Sequence, residues 1–243
     1  MDHCLPAVEG LVQALKSHTT QDAGECCAYE LEARLGYINP TDSTFKPGVS
    51  SDKFDAILTA FTVCSSWHSV TDFRESWDVF YKTPDNKTFR TTTTGDHVEH
   101  CEKTKLHNVS MCASGRKVNA TGDAVDIRVA LARERLVLSK DVPHNVEPQL
   151  VRVKQRKSFH WGAWRWDLSR IWEGATLLEV DAHRASQAPR YEVEVELAKA
   201  EHYLSGKSVN HAAASLLLKL RDIVYPLADD PSLEYFPPEH FMQ

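Results

Sequence analysis

The sequence predicts a mainly β protein, an antiparallel barrel or sandwich accompanied by helices, and three observations predict it. Between residues 67 and 170, short alternating runs follow one another at regular spacing, separated by polar turns. Several of these runs carry charge on one parity and apolar side chains on the other, as a strand with two unlike faces does. Helical spacing of apolar residues is concentrated outside that region, near residues 5–15, 54–61 and 209–224.

Leu5, Val8, Leu11, Val12 and Leu15 give a short amphipathic helix packed on something larger. A strand follows at about 29–35, where Glu30 and Glu32 alternate with Tyr29, Leu31 and Ala33, and Gly36 and a Pro- and Gly-bearing loop end it. Ser50, Ser51 or Asp52 then caps a helix with Phe54, Ile57, Leu58 and Phe61 on one face. Strands are expected at 77–82, 88–94, 97–111, 124–138 and 150–159, with hairpin turns at 84–87 and 114–117 and a break at 141–148. Next come a strand at 164–169, a run at 177–181, a loop at 183–189 and an acidic strand at 191–197. A last helix at 209–224 carries Leu216, Leu217, Leu220, Ile223 and Val224. Ordered structure is expected to end at Pro226, leaving a flexible tail at about 226–243 on a single domain that spans 1–243.

A chain of 243 residues, 42% of them hydrophobic, suffices for a real core without staples. Its net charge of −6 argues against nonspecific coating of nucleic acid, which needs a broad basic surface, and leaves room for a local basic pocket. The six cysteines show no CxxC spacing, so neither a zinc framework nor a disulfide framework is expected, and a reducing compartment is the default. The first residues lack the features of a signal peptide, and no stretch approaches ~18 uninterrupted apolar residues, so a soluble intracellular protein with no membrane role is expected. The sequons at Asn86, Asn108 and Asn119 are then chance matches.

The acidic strand at 191–197 places Glu192, Glu194 and Glu196 on one face. Residues two apart there stand roughly 6.5–7 Å from one another, so their carboxylates converge on a divalent cation or repel. Glu30 and Glu32 repeat the pattern near the other end of the chain. An alternating acidic strand taken alone is ordinarily half-buried with its carboxylates in water. The middle strands, however, put Arg152, Lys154 and Arg156 on one parity and Arg165, Asp167 and Ser169 on another. An ordinary small barrel turns its apolar faces inward. The alternative is an inverted barrel whose charged faces line a tunnel while helices cover its apolar faces. There the acidic strands hold a metal, and Arg90, Lys103, Arg128, Lys154, Arg156 and Arg165 cage a polyanion. Unpartnered buried charges cost several kcal/mol each, so such an interior implies a cation and an anion together, as in a metal-bound oligophosphate. Other constellations explain less. His97, His100 and Cys101 fit no standard metal spacing, and P-loop and Rossmann glycine patterns are absent. A glycosidase carboxylate pair leaves the basic strands without a purpose.

The runs at 29–36, 126–128 with Glu134, 152–159 (RxKxRxSF), 164–169 (WRxDLS) and 191–197 resemble the metal-dependent RNA triphosphatases of fungal and protozoan type, in the triphosphate tunnel metalloenzyme superfamily. Their order and spacing span most of the chain. The resemblance implies an eight-stranded antiparallel β-barrel forming a hydrophilic triphosphate tunnel, with helices packed outside. It implies hydrolysis of the γ-phosphate from the 5′-triphosphate end of nascent RNA during mRNA capping, with free NTPs as side substrates in manganese or cobalt. It implies Glu30, Glu32, Glu194 and Glu196 as ligands of Mg2+ or Mn2+, with Glu194 and Glu192 acting directly or through water. The phosphate ligands implied are Arg90, Lys103, Arg128, Lys154, Arg156 and Arg165; Glu134 orients the attacking water, and Asp78 and Asp167 orient the basic residues. Lys103 and Lys105 share a parity, which leaves open which of them binds phosphate, and Ser169 stands where Thr is frequent. A nuclear location follows from the role. The chain is expected to lack the long N-terminal extension by which some fungal members recruit the guanylyltransferase, so that partner stays open. Two other readings compete: a hydrolase of inorganic triphosphate or a small triphosphate, and a noncatalytic polyphosphate-binding barrel.

Overall fold

The computed structural model describes residues 1–21, 27–39, 41–83, 88–113, 124–142, 146–198, 200–227 and 234–236. In chain order its elements are α1 (Leu5–Gln21), β1 (Cys27–Ile38), β2 (Phe45–Pro47), α2 (Ser51–Val63), β3 (Ser69–Val70), β4 (Arg74–Lys82), β5 (Thr88–Thr94), β6 (His97–Ala113) and β7 (Asp126–Leu136). There follow β8 (Leu150–Trp161), β9 (Trp164–Gly174), α3 (Leu177–Ser186), β10 (Arg190–Leu197), α4 (Ala200–Ser205), α5 (Val209–Val224) and β11 (Tyr235–Phe236). Eight strands close an antiparallel barrel in the order β1-β10-β9-β8-β4-β5-β6-β7 and back to β1, as the tunnel reading requires. The hairpin turns expected at 84–87 and 114–117, and Asn86 and Asn119, lie outside the described residues.

The barrel is inverted. Along β1, Tyr29, Leu31, Ala33 and Leu35 are buried in the hydrophobic core, whereas Glu30, Glu32 and Arg34 line the interior cavity. The same division runs along β8 to β10, where Phe159, Trp164, Trp166, Leu168, Val193 and Val195 belong to that core. The core therefore sits outside the strand wall, beneath the helices. Val8, Leu11, Val12 and Leu15 of α1 are almost wholly buried, and so are Ala212, Ala213, Leu216 and Leu220 of α5, which packs against α1. Side-chain caps begin α2 and α5: Ser50 accepts from the Lys53 amide at 3.4 Å, and Ser208 accepts from the His211 amide at 3.1 Å. At Gly36 a Cβ would lie 2.3 Å from the Lys46 carbonyl, so only glycine lets β2 cross β1 there. Asp126, fully buried, accepts from the Ile38 amide at 2.7 Å and the Ala113 amide at 3.1 Å, tying the ends of β1 and β6 to β7.

Two expectations need correction. Residues 183–186, expected as part of a loop, continue α3, which begins at Leu177. Thr176 caps it by accepting from the Glu179 amide at 3.2 Å, Glu179 accepts in return from the Ala175 amide at 2.7 Å, and Val180 buries itself against β8 and β9. The tail expected to be flexible from Pro226 includes β11, whose Tyr235 and Phe236 pair with Ala113 and Cys112. The Tyr235 ring is fully buried and its hydroxyl donates to the Val125 carbonyl at 2.7 Å, so this ring fills a gap between the barrel and the N-terminal residues 2–4. Tyr235→Phe is expected to cost about 1–2 kcal/mol by leaving that carbonyl unsatisfied. Urea denaturation at matched slope checks this, and a midpoint equal to that of the unmutated protein would remove the hydrogen bond from the account. No described helix is long and apolar enough to cross a membrane.

Candidate active site: a charged tunnel

Inward-facing residues of all eight strands enclose a cavity of about 1160 Å³. One wall is acidic because β1 and β10 are neighbours, with Glu32 opposite Glu196 and Arg34 opposite Glu194. Glu30 and Glu192 extend this wall at its two ends. Around the rest of the barrel, β9 and β8 on one side supply Arg165, Arg156, Lys154 and Arg152, while β7, β6 and β5 on the other supply Arg128, Lys103 and Arg90.

The structure brings these groups together in pairs. Glu30 bonds Lys103, which also lies 3.2 Å from Glu134. Arg90 approaches the same Glu134 at 3.3 Å. Glu196 bonds Arg165, and Arg165 and Arg156 each lie 3.0 Å from Asp167. The Ser158 hydroxyl completes that cluster by donating to Asp167 at 2.6 Å. Lys154 lies 2.6 Å from the buried Asp78, which also accepts from Thr92 at 2.7 Å. Ser169, within the WRxDLS run, accepts from Arg156 Nε at 3.4 Å. Lys103, rather than Lys105, meets the acidic wall, although both line the cavity. Arg128 faces the tunnel without an ion pair to any described residue, and its guanidinium lies 4.6 Å over the Phe45 ring.

Sequence reasoning missed Arg34, which bridges Glu32 at 3.0 Å and Glu194 at 2.6 Å in the middle of the acidic wall. Its signal was its parity, shared with Glu30 and Glu32. His100 and Cys101 face opposite sides of β6. His100 meets Thr91 at 2.9 Å, and Cys101 is buried beside Arg90 and Glu134 with its thiol pushed up to about 12, by burial first.

Charge balance differs between carboxylates two residues apart. Burial opposes ionisation of Glu194, yet Arg34, Arg156 and Lys154 outweigh it and hold the carboxyl far below its usual range. Burial also pushes Glu196 up, here to about 7, because Arg165 alone opposes it while Glu30, Asp167 and Glu32 add to the rise. Burial is again opposed at Glu134, where Arg90 and Lys103 hold the carboxyl below its ordinary value. Lys154 is lowered by burial and by the neighbouring Arg156, against the pull of Asp78.

Among the described residues no three His, Cys, Asp or Glu side chains form a ready metal cluster, since Arg34, Lys103 and Arg165 stand among the carboxylates. The donor set nonetheless suits a hard cation. Glu30, Glu32, Glu194 and Glu196 offer oxygen ligands from two paired strands, and Glu196 is short of positive charge. Buried Oε1 of Glu192 also accepts no hydrogen bond, with Arg190 2.7 Å away but out of line.

No family model matches the sequence, and comparison with curated proteins gives no match. Solved structures do match. The S. pombe RNA triphosphatase Pct1 superposes with a TM-score of 0.64 over 90% of this chain and 92% of that one, at 16% identity. The Mimivirus capping enzyme triphosphatase superposes with a TM-score of 0.58 over 92% of this chain and 98% of that one, at 12% identity. Pct1 in complex with the Spt5 CTD gives a TM-score of 0.63. The chain therefore has the triphosphate tunnel fold, and the structures it is similar to are RNA triphosphatases.

Proposed function

We propose that the protein is a metal-dependent RNA 5′-triphosphatase of the capping type, releasing the γ-phosphate of nascent RNA and leaving a 5′-diphosphate end, with free NTPs as side substrates. The observation that carries this reading is a closed tunnel in which the carboxylates of β1 and β10 are bordered on both sides by strands that turn cations inward. A ligand bearing both a bound cation and several anionic oxygens matches both sets of side chains.

Glu30, Glu32, Glu194 and Glu196 are the residues that would hold Mg2+ or Mn2+, which when bound supplies Lewis-acid polarisation and charge neutralisation at the phosphoryl group. The remaining work falls to the chain. Arg156 and Arg165 present planar forks to phosphate oxygens, and Lys154 a point charge, so negative charge shifting during transfer meets preorganised donors. Asp167 keeps both forks aimed and Asp78 keeps Lys154 in place, as their contacts of 3.0 and 2.6 Å indicate. Arg90, Lys103 and Arg128 take oxygens from the other side. Glu134, ionised because Arg90 and Lys103 flank it, orients the attacking water in line, and positioning suffices for phosphoryl transfer. A nuclear location and a guanylyltransferase acting on the diphosphate end belong to the same proposal.

The test is phosphate release from RNA labelled at its γ-phosphate, in magnesium, in manganese and in chelator. Release is expected to require metal and to stop at the diphosphate end. Turnover of inorganic triphosphate alone would move the substrate to small molecules, and binding without turnover of either would make the barrel a polyphosphate carrier.

A further inference from the structure

We propose that the tunnel rim at Phe73 is a docking site for the first nucleotides of single-stranded RNA, with the Phe73 ring as a base-stacking platform flanked by cations that meet the backbone. The proposal rests on the RNA reading of the tunnel and names where the body of that substrate lies.

The segment between β3 and β4 runs on alongside β8. Thr71 and Arg74 line the tunnel, while Phe73 between them does not. The Thr71 amide bonds the Ser158 carbonyl at 2.9 Å and Arg74 pairs with Arg156, so Asp72 and Phe73 together oppose the single residue Lys157. Such a bulge re-aims a side chain, here onto the outer wall. Phe73 is 36% exposed there, with the Arg170 guanidinium 4.8 Å and Lys157 Nζ 6.0 Å from its ring centre. Each of these cations also lies against a second ring, Phe54 at 5.9 Å from Arg170 and Phe159 at 5.8 Å from Lys157. Lys157, Arg170 and the exposed Arg74 form no ion pair with any described residue, a condition that Arg128 inside the tunnel shares. Asp72 is the one carboxylate of the segment.

On a chain of net charge −6, two unpaired cations against an exposed ring, with the unpaired Arg74 next to it on the tunnel side, call for a polyanion that also has flat apolar faces. Single-stranded RNA has both, and aromatic stacking with backbone cations is how sequence-tolerant single-strand sites are built. A strand leaving the tunnel at this edge crosses Arg74 and then Phe73.

Fluorescence anisotropy with a 5′-hydroxyl and a 5′-triphosphate oligoribonucleotide tests the site on the full chain, alongside steady-state hydrolysis of both the triphosphate RNA and inorganic triphosphate. Phe73→Ala is expected to weaken both RNAs on the order of tenfold, and Phe73→Trp to retain binding. Lys157→Ala is expected to reduce the salt dependence by roughly one phosphate contact, a slope change of about 0.7. KM for inorganic triphosphate should not move in either variant. Unchanged RNA affinity in Phe73→Ala, or an equal loss with inorganic triphosphate, overturns the site, as does an acidic peptide held through Phe73 where RNA is not. If RNA binds through Phe73 and no triphosphate end is hydrolysed, the catalytic reading fails and the docking site stands. If hydrolysis of RNA ends proceeds with its usual KM in Phe73→Ala, the reverse holds.

Discussion

Glu196→Gln is expected to lower phosphate release on the order of a thousandfold while leaving the metal-free protein at least as stable at neutral pH. The two effects have opposite signs because, in the proposed role, the carboxylate serves the cation and not the fold. Burial pushes Glu196 up to about 7, well above the ordinary carboxylate range, so its ionised form is disfavoured in the metal-free barrel. The folded protein then holds that proton more tightly than the unfolded chain does. The contribution of Glu196 to stability therefore falls as pH rises from about 4.5 to about 7, and is constant beyond. Metal binding needs the ionised form, so metal affinity should weaken by about tenfold per unit as pH drops below 7. Both dependences should vanish in Glu196→Gln, whose Arg165 retains Asp167 at 3.0 Å. Thermal melts with and without magnesium or manganese across pH, paired with steady-state release, measure all of this. Undiminished turnover, or a metal-induced rise in Tm that survives the substitution, would remove Glu196 from the metal site.

Asp167→Ala is expected to cost about 3–5 kcal/mol of stability as well as activity. Its carboxylate is only 1% exposed and takes three partners, Arg156 and Arg165 at 3.0 Å and the Ser158 hydroxyl at 2.6 Å. Removal leaves two guanidinium groups in the wall with less compensating charge. Asp167→Asn should fall between, keeping an acceptor but not the charge. Tripolyphosphate should restore part of the lost stability, because an anion in the tunnel neutralises the cations that Asp167 held. Denaturant titrations with and without that anion are the measurement, and a cost under about 1 kcal/mol would make the cluster a surface-like ion pair.

Much of the tunnel was legible in the sequence because a strand states its two faces by parity. Glu30 with Glu32, Arg152 with Lys154 and Arg156, and Arg165 with Asp167 all lie on the inward parity of their strands. The partners were not legible, since they depend on register between strands distant in sequence. That Arg34 lies opposite Glu194, and so closes the acidic wall, follows only once β1 and β10 are side by side. Parity also fails at a bulge. Between Lys105 and His107 the register shifts, so Asn108 lines the cavity in phase with Ala130, and a strict alternation from Lys103 would have turned it outward. The α3 helix was hidden by the shortness of its apolar stretch, although Thr176 and Glu179 carried a capping pattern. Tyr235 was hidden by its setting among prolines and acids, where composition suggests a tail and only its pairing with β6 and its bond to the Val125 carbonyl explain the ring.

With the apolar core outside the wall and the chemistry inside it, each strand carries two interleaved alphabets. Along β8, Val151, Val153 and Phe159 belong to one, while Arg152, Lys154 and Arg156 belong to the other. A substitution scan along that strand should therefore oscillate with period two, each step swapping a defect in abundance for a defect in turnover. Such a barrel can change its substrate by rewriting alternate letters while the helices outside go on reading the same text.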